Sequence, residues 1–145
     1  MSAPFEHALR VYWEDTDAGG IVFYANYLKF FERARTEWLR SFGFNQQTMR
    51  DADGLIFVVA STSVRYLSPA RLDDMIDVTV EPRELGRASM TVFQQAFRRN
   101  AGADRDGIRT LLAEGEIRIG CVNAETFKTS RIPAAILAAV DRRAA

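Results

Sequence analysis

The stretch WEDTDAGGIVFYANYLKFFERARTEWLRSFG, Trp13 to Gly43, decides how this chain is read. Its second half has a helical pattern. From Ala25 to about Phe42, Tyr27, Phe30, Phe31, Ala34 and Trp38 recur at spacings of three and four, while Lys29, Glu32, Arg33, Glu37 and Arg40 take most other positions. That periodicity predicts an amphipathic helix whose aromatic stripe packs into a core. Gly43 suits the left-handed residue that ends such a helix. At 1.5 Å per residue the helix is about 27 Å long, the longest element expected.

The first half sets Asp15 and Asp17 against Gly19 and Gly20, followed at once by an aromatic cluster. Two glycines let the backbone take angles forbidden to other residues and approach a ligand closely. The first helical amides, near Tyr24 to Asn26, lack internal partners and carry the positive end of the helix dipole. Such an end stabilises a developing oxyanion, and one good donor is typically worth about 10²–10³ in rate. A carboxylate held opposite acts as a nucleophile or as a general base on water. This geometry suits acyl transfer to water. Asp and Asn near a helix start are also common caps and turn residues, so the residues alone leave both readings open.

Around this stretch the chain alternates with period two. An opening strand is expected from about Glu6 to Trp13. Downstream, IFVVASTSVRYL (Ile56 to Leu67) reads as a strand. Ile76, Val78 and Val80 alternate with Asp77, Thr79 and Glu81, and Ile117, Ile119 and Cys121 with Glu116, Arg118 and Gly120. Between them ASMTVFQQAFRR has the β-branched and aromatic content of a strand. NAGADRDG, Asn100 to Gly107, predicts a hairpin loop. Pro133 fits the first turn of a short helix, PAAILAAVDRR. The order strand, long helix, four strands, short helix predicts an α+β layer, an antiparallel sheet wrapped on one helix. One helix cannot cover both faces of such a sheet, and its edges invite pairing, which predicts a homo-oligomer.

Composition narrows the chemistry. The 145 residues predict one domain spanning 1–145, and 19 basic against 19 acidic residues with no long run of either sign argue against a nucleic-acid partner. A single cysteine, Cys121, cannot form an internal disulfide, no signal-peptide core opens the chain, and no window approaches 18 consecutive apolar residues. A cytoplasmic protein without a membrane span is expected. With one histidine, His7, a multi-histidine metal site is impossible, and a Ser-His-Asp or Cys-His arrangement would have to use that residue. Cys121 lies on the apolar side of its strand and reads as structural. Neither G-x-S-x-G nor a glycine-rich phosphate loop is present. A calcium loop starting at Asp15 fails at its fifth position, Gly19, and its twelfth, Asn26. Carboxylates, hydroxyls and backbone amides remain, with no metal expected.

These same residues carry a family likeness. YWEDTDAGGIVFYANYLKFFERARTEWLRSFGF, Tyr12 to Phe44, resembles the signature of hotdog-fold acyl-CoA thioesterases, nearest to the YbgC-type (Tol-Pal-associated) enzymes and to 4-hydroxybenzoyl-CoA thioesterase. The likeness continues through VRYLSPARLDDMIDV, Val64 to Val78, and more loosely to the Ile-Pro before the last helix. It implies a curved antiparallel sheet of about five strands around the long helix, dimers and often tetramers, and an active site at the dimer interface. Asp17 matches the family's catalytic aspartate, attacking the thioester or activating water, and the backbone amide at Tyr24 is expected to polarise the carbonyl. No cofactor is implied; CoA belongs to the substrate. Trp13, Gly20, Asn26 and Tyr27 are expected to line the acyl site, with Asp15 a turn residue. Tyr66 and Ser68 are expected to contribute to the partner's site, and Arg87, at a turn where related enzymes place basic residues, to meet the CoA phosphates.

One departure stands inside the signature. YbgC-type enzymes generally have a histidine where this chain has Tyr24; the 4-hydroxybenzoyl-CoA enzymes have tyrosine. EDTDAGG and ERARTEWLR look more like the YbgC side. Histidine moves a proton near neutral pH, whereas a phenol mainly donates a hydrogen bond. The expected substrate is therefore a short-chain aliphatic or an aromatic acyl-CoA. The alternatives are a non-catalytic binding module for acyl-CoA or acyl carriers, and an interaction protein of the Tol-Pal envelope system.

Overall fold

The computed structural model describes residues 3–100 and 107–144. Among them the order is β1 (Phe5–Arg10), a single 3-10 turn (Trp13–Asp15), α1 (Asn26–Ser41), α2 (Gln46–Asp53), β2 (Leu55–Tyr66), β3 (Met75–Leu85), β4 (Ser89–Arg99), β5 (Arg109–Asn123) and α3 (Ala134–Ala144). The five strands form one antiparallel sheet in the order β1-β3-β4-β5-β2. Strands β1 and β2 are therefore its edges.

The helix stripe packs as its periodicity predicts: Tyr27, Phe30, Phe31, Ala34, Trp38 and Leu39 of α1 are buried. They meet the inner row of β3, where Ile76, Val78 and Val80 are also buried. Each large apolar side chain enclosed this way contributes about 1.5–3 kcal/mol. Gly43, at φ +90°, ends the helix. Its N–H reaches Arg40 O, and the next N–H, of Phe44, reaches Leu39 O. Only a residue without a Cβ turns there without strain.

Two expectations are corrected. The opening strand stops at Arg10, and Trp13 starts a 3-10 turn, because the Asp15 carboxylate accepts the Tyr12 N–H and winds the chain out of the sheet. A second helix, α2, also stands between α1 and β2. Asn45 caps it by accepting the Gln47 and Thr48 N–H groups, and Gly54 closes it at φ +67°. Both signals are in the sequence, but the segment has few apolar residues and shows no long stripe. The expected hairpin loop between β4 and β5, Asn100 to Gly107, falls mostly on residues 101–106, which lie outside the described residues.

The face of the sheet away from α1 carries charge. Asp77 is fully buried there beneath Arg99 (2.7 Å) and Arg109 (3.1 Å). Arg109 also pairs with Glu6 of β1, reaching over β4 and β3, and lies over the Phe97 ring. Farther along, Glu114 accepts from Gln95 and Arg65. Long side chains thus shield this face themselves; it is not an apolar surface awaiting a cover. Helices α2 and α3 join α1 on the inner side, where Ile136 and Met49 share a cavity wall with Leu39 and Phe57.

Candidate active site

The loop from Trp13 to Ala25 is built around two carboxylates with opposite fates. Asp15 is buried. Its Oδ2 accepts the Tyr12 N–H at 2.8 Å, and its carbonyl oxygen accepts the Phe23 N–H at 3.0 Å and the Asn26 Nδ2–H at 2.8 Å. It clamps the loop to the start of α1, the turn role expected of it. Asn26, expected to line the acyl site, is the other half of that clamp.

Asp17 sits at the tip of a small hairpin. Thr16 bridges Val22, the Asp17 N–H reaches Ile21 O, and the Gly20 N–H returns to Asp17 O. The Gly19 N–H donates to Asp17 Oδ1 at 2.8 Å, an Asx turn that fixes the carboxylate. Gly20, at φ +79°, completes a turn that a side-chain-bearing residue would strain. The hairpin is fastened to the sheet by the Val22 N–H to Ala70 O (2.9 Å) and by an Ile21–Arg71 bridge. Asp17 is thus held but exposed, and its Oδ2 has no partner among the described residues.

The start of α1 supplies the opposite charge. No side chain caps it. The N–H groups of Asn26, Tyr27 and Leu28 turn back onto Phe23, Tyr24 and Ala25. Among the described residues the N–H groups of Tyr24 and Ala25 have no acceptor. Two donors thus stand free at the positive end of a sixteen-residue helix, into which the hairpin that carries Asp17 leads.

An aromatic wall adjoins it. The Tyr24 side chain is 61% exposed, and its ring meets Tyr66 edge-on at 5.8 Å and Phe23 at 4.9 Å. Tyr27 touches Tyr66 from below at 5.7 Å but is itself only 3% exposed, so it supports the wall as core. Burial pushes the Tyr27 hydroxyl above its usual pKa, against a hydrogen bond from Ala70 that lowers it. Burial, then the neighbouring Tyr24, push Tyr66 up as well. Trp13 is 81% exposed at the loop's outer corner. Ser68 is half-buried, its N–H on Leu112 O, just beyond the Tyr66 end of β2.

Arg87 does not belong to this cluster within one chain. The Asp17 hairpin sits at the start of β3 and Arg87 past its end, about 33 Å away along an eleven-residue strand. Arg131, which the sequence reading passed over, lines a cleft with Arg87 at the start of α3, tied there by the Ile132 N–H to Arg87 O. Its one sequence signal was a basic residue directly before the helix-opening Ile-Pro.

Comparison with known proteins agrees with this architecture. Residues 11–140 match the family model of the thioesterase-like superfamily. The chain is 39% identical over 135 residues to the acyl-CoA thioesterase YbgC of Haemophilus influenzae, covering 93% of each chain. It is 42% identical over 134 residues to the acyl-CoA thioester hydrolase YbgC of Escherichia coli O6:H1, covering 92% of this chain and 93% of that one. A solved structure of an Aquifex aeolicus protein superposes with a TM-score of 0.81 at 33% identity, over 94% of this chain and 99% of that one. A hairpin-borne carboxylate beside an uncapped helix start, on a sheet of this order and with this degree of identity, places the chain in the hotdog-fold thioesterase superfamily, as a member of its YbgC family of acyl-CoA thioester hydrolases.

Proposed function

We propose that this protein hydrolyses short-chain aliphatic or aromatic acyl-CoA thioesters at Asp17, with the amide of Tyr24 binding the carbonyl oxygen. The observation that carries the reading is that one short loop holds both the free Oδ2 of Asp17 and, where it enters α1, the unsatisfied N–H groups of Tyr24 and Ala25. As nucleophile, Asp17 bonds to the thioester carbon, CoA departs as the thiolate, and water then cleaves the mixed anhydride. As general base, it takes a proton from water that attacks the same carbon. Both routes give the free acid and CoA. In either, negative charge grows on the carbonyl oxygen, where the helix amides stabilise it most.

Tyr24 stands where a histidine is general among YbgC-type enzymes. Its exposed phenol, braced by Phe23 and Tyr66, supplies an aromatic surface and a hydrogen-bond donor in place of a proton carrier. That favours binding of the acyl group over proton transfer at position 24.

The complete site takes two copies of the chain. Strand β2 is a twelve-residue edge with an open side, exposed from Val59 to Ser63. Its Tyr66 end adjoins Tyr24, and its Leu55 end pairs with Asn123 of β5, the end of the sheet that holds Arg87. Antiparallel pairing of two β2 edges brings the Arg87 end of one copy to the Asp17 end of the other. Arg87 and Arg131 then face the CoA phosphates, for which the guanidinium fork is suited.

Thiol release from a panel of acyl-CoAs tests the reaction: wild type releases CoA, and Asp17→Asn does not. Absence of turnover with tight acyl-CoA binding would instead support a binding module. Complementation tests the shared site. Asp17→Asn and Arg87→Ala are each impaired alone, and mixed dimers regain activity because one of their two sites is intact. No recovery on mixing would place Arg87 outside the site.

A further inference from the structure

A cavity of about 160 Å³ lies between α1 and the edge strand β2. One wall is apolar, with Leu39, Phe57, Met90 and Ile119; the other carries Glu32 and Arg35. Arg35 is half-buried on the inner side of the fold, where other side chains facing the sheet are mostly apolar. Its Nη1 donates to Gln94 Oε1 at 3.0 Å. Gln94 is fully buried, and its amide nitrogen donates to Phe31 O (3.1 Å) and Thr79 O (3.2 Å). Those two bonds turn the Gln94 oxygen to Arg35 and fix the guanidinium. No other hydrogen bond and no carboxylate ion pair holds Arg35 among the described residues.

A guanidinium has five N–H donors. No enclosed side-chain nitrogen or oxygen of the described residues lacks a partner. Nε and Nη2 of Arg35, which have no partner among the described residues, therefore reach accessible space, and the cavity is the space this residue lines. Burial weakens the hold of the guanidinium on its proton, and the charge of Glu32 opposes that effect. Glu32 accepts from the Thr36 hydroxyl at 3.2 Å and is otherwise exposed. An oriented donor and an acceptor thus stand on one wall of the cavity, beside Thr36 and Gln46, which are bonded to each other, and face a wall that is apolar. Their charges offset each other, which suits a neutral group able to accept and donate at once. A hydroxyl does both.

Arg35 lies nine residues along α1 from Asn26, a rise of about 14 Å, or the reach of an acyl chain on the order of ten carbons. We infer that Arg35 and Glu32 form a specificity site for the far end of the acyl group, and that the enzyme favours ω-hydroxyacyl-CoA thioesters over plain acyl-CoAs of the same length. This rests on the thioesterase reading and extends its substrate range to medium-length hydroxylated chains. Closure of the β2 edge by a second copy would shut the cavity from solvent, which strengthens both contacts.

The experiment compares kcat/KM for ω-hydroxyacyl-CoAs, ω-carboxyacyl-CoAs and unsubstituted acyl-CoAs from four to twelve carbons, in wild type, Arg35→Met and Arg35→Lys. In wild type the hydroxyl is expected to raise kcat/KM about tenfold at one chain length and to do little at the others, as one hydrogen bond to a charged group would. The ω-carboxylate, facing Glu32, is expected to gain less. Arg35→Met removes the hydroxyl advantage, and Arg35→Lys, which keeps the charge without the fork, restores part of it. A wild type that does not discriminate at any length overturns the inference even if neither variant folds. So does a preference that survives Arg35→Met, or a carboxylate preferred over the hydroxyl. Hydrolysis of plain acyl-CoAs alongside any of these results leaves the thioesterase reading standing; no hydrolysis of any thioester removes both.

Discussion

Asp17 and Asp77 are two carboxylates that the fold treats in opposite ways. Asp77 is sealed under two guanidinium groups on the outer face of the sheet. Asp17 stands exposed at a hairpin tip, one oxygen fixed by the Gly19 N–H and the other open. A carboxylate sealed under charged partners is out of a substrate's reach, and its removal strands those charges. A fixed one with an open oxygen next to unsatisfied amides contributes little to stability and is available to a substrate. If Asp17 carries the chemistry as proposed, chemistry and stability depend on different acids, and each should be removable without the other.

The largest effect is expected at Asp17. Asp17→Asn should lower thiol release by about 10²–10⁴-fold, the span typical of a catalytic acid or base, with the urea midpoint unchanged. A loss of stability of 1 kcal/mol or more would show that the hairpin carboxylate is structural after all.

Asp77 should behave in reverse. Asp77→Asn leaves Arg99 and Arg109 without their shared counter-charge and is expected to cost about 3 kcal/mol in urea unfolding. In folded enzyme at low temperature, the kcat for thiol release should stay within twofold of wild type. A drop in kcat without unfolding would tie the two acids together.

The pH dependence sharpens the contrast. Burial alone would raise the Asp77 carboxyl, but hydrogen bonds from Arg99 and Arg109, and their charges, hold it below its ordinary value of 3.8. A carboxyl depressed in the folded state stabilises above its unfolded pKa. That contribution is lost as pH falls through the unfolded value toward the folded one. Stability should therefore drop below about pH 4 in wild type, and Asp77→Asn should flatten this part of the acid limb. An unchanged acid limb in the variant would refute the assignment.

The smallest effect is expected at Tyr24. The proposed oxyanion donor at this position is a backbone amide, so Tyr24→Phe keeps both the amide and the ring packing against Tyr66. Thiol release should stay within about threefold, near the worth of one exposed neutral hydrogen bond. A loss of a hundredfold or more would assign proton transfer to the phenol.

Much of the fold was legible because its periods are long and clean. The helix stripe from Tyr27 to Trp38, the alternation in β3 and β5, and the β-branched and aromatic run of β4 appear where the sequence predicts them. Helix α2 was missed: its eight residues rest on caps at Asn45 and Gly54, with Met49 as their only buried side chain. Trp13 was read into the first strand because apolar residues continue the run, yet one hydrogen bond from Tyr12 to Asp15 ends it. At the site, the Asp17 loop was legible because all of its parts lie within about ten residues. The Asp77 network joins residues 22 and 32 positions apart, and Arg35 meets Gln94 across 59. No local pattern carries such distances.

Sequence alone therefore determined most of the elements, the family signature and a pair of carboxylates, Asp15 and Asp17, set before two glycines and a helix start, since each depends on short-range periodicity or turn chemistry; the family likeness singled out Asp17 from the pair. Tertiary structure decided which acid is buried and which is open, because burial depends on what distant strands bring alongside. It also decided that Arg87 lies at the far end of the sheet from Asp17, a separation fixed by the length of β3 and the antiparallel strand order, and invisible in the distance between the two residues along the chain.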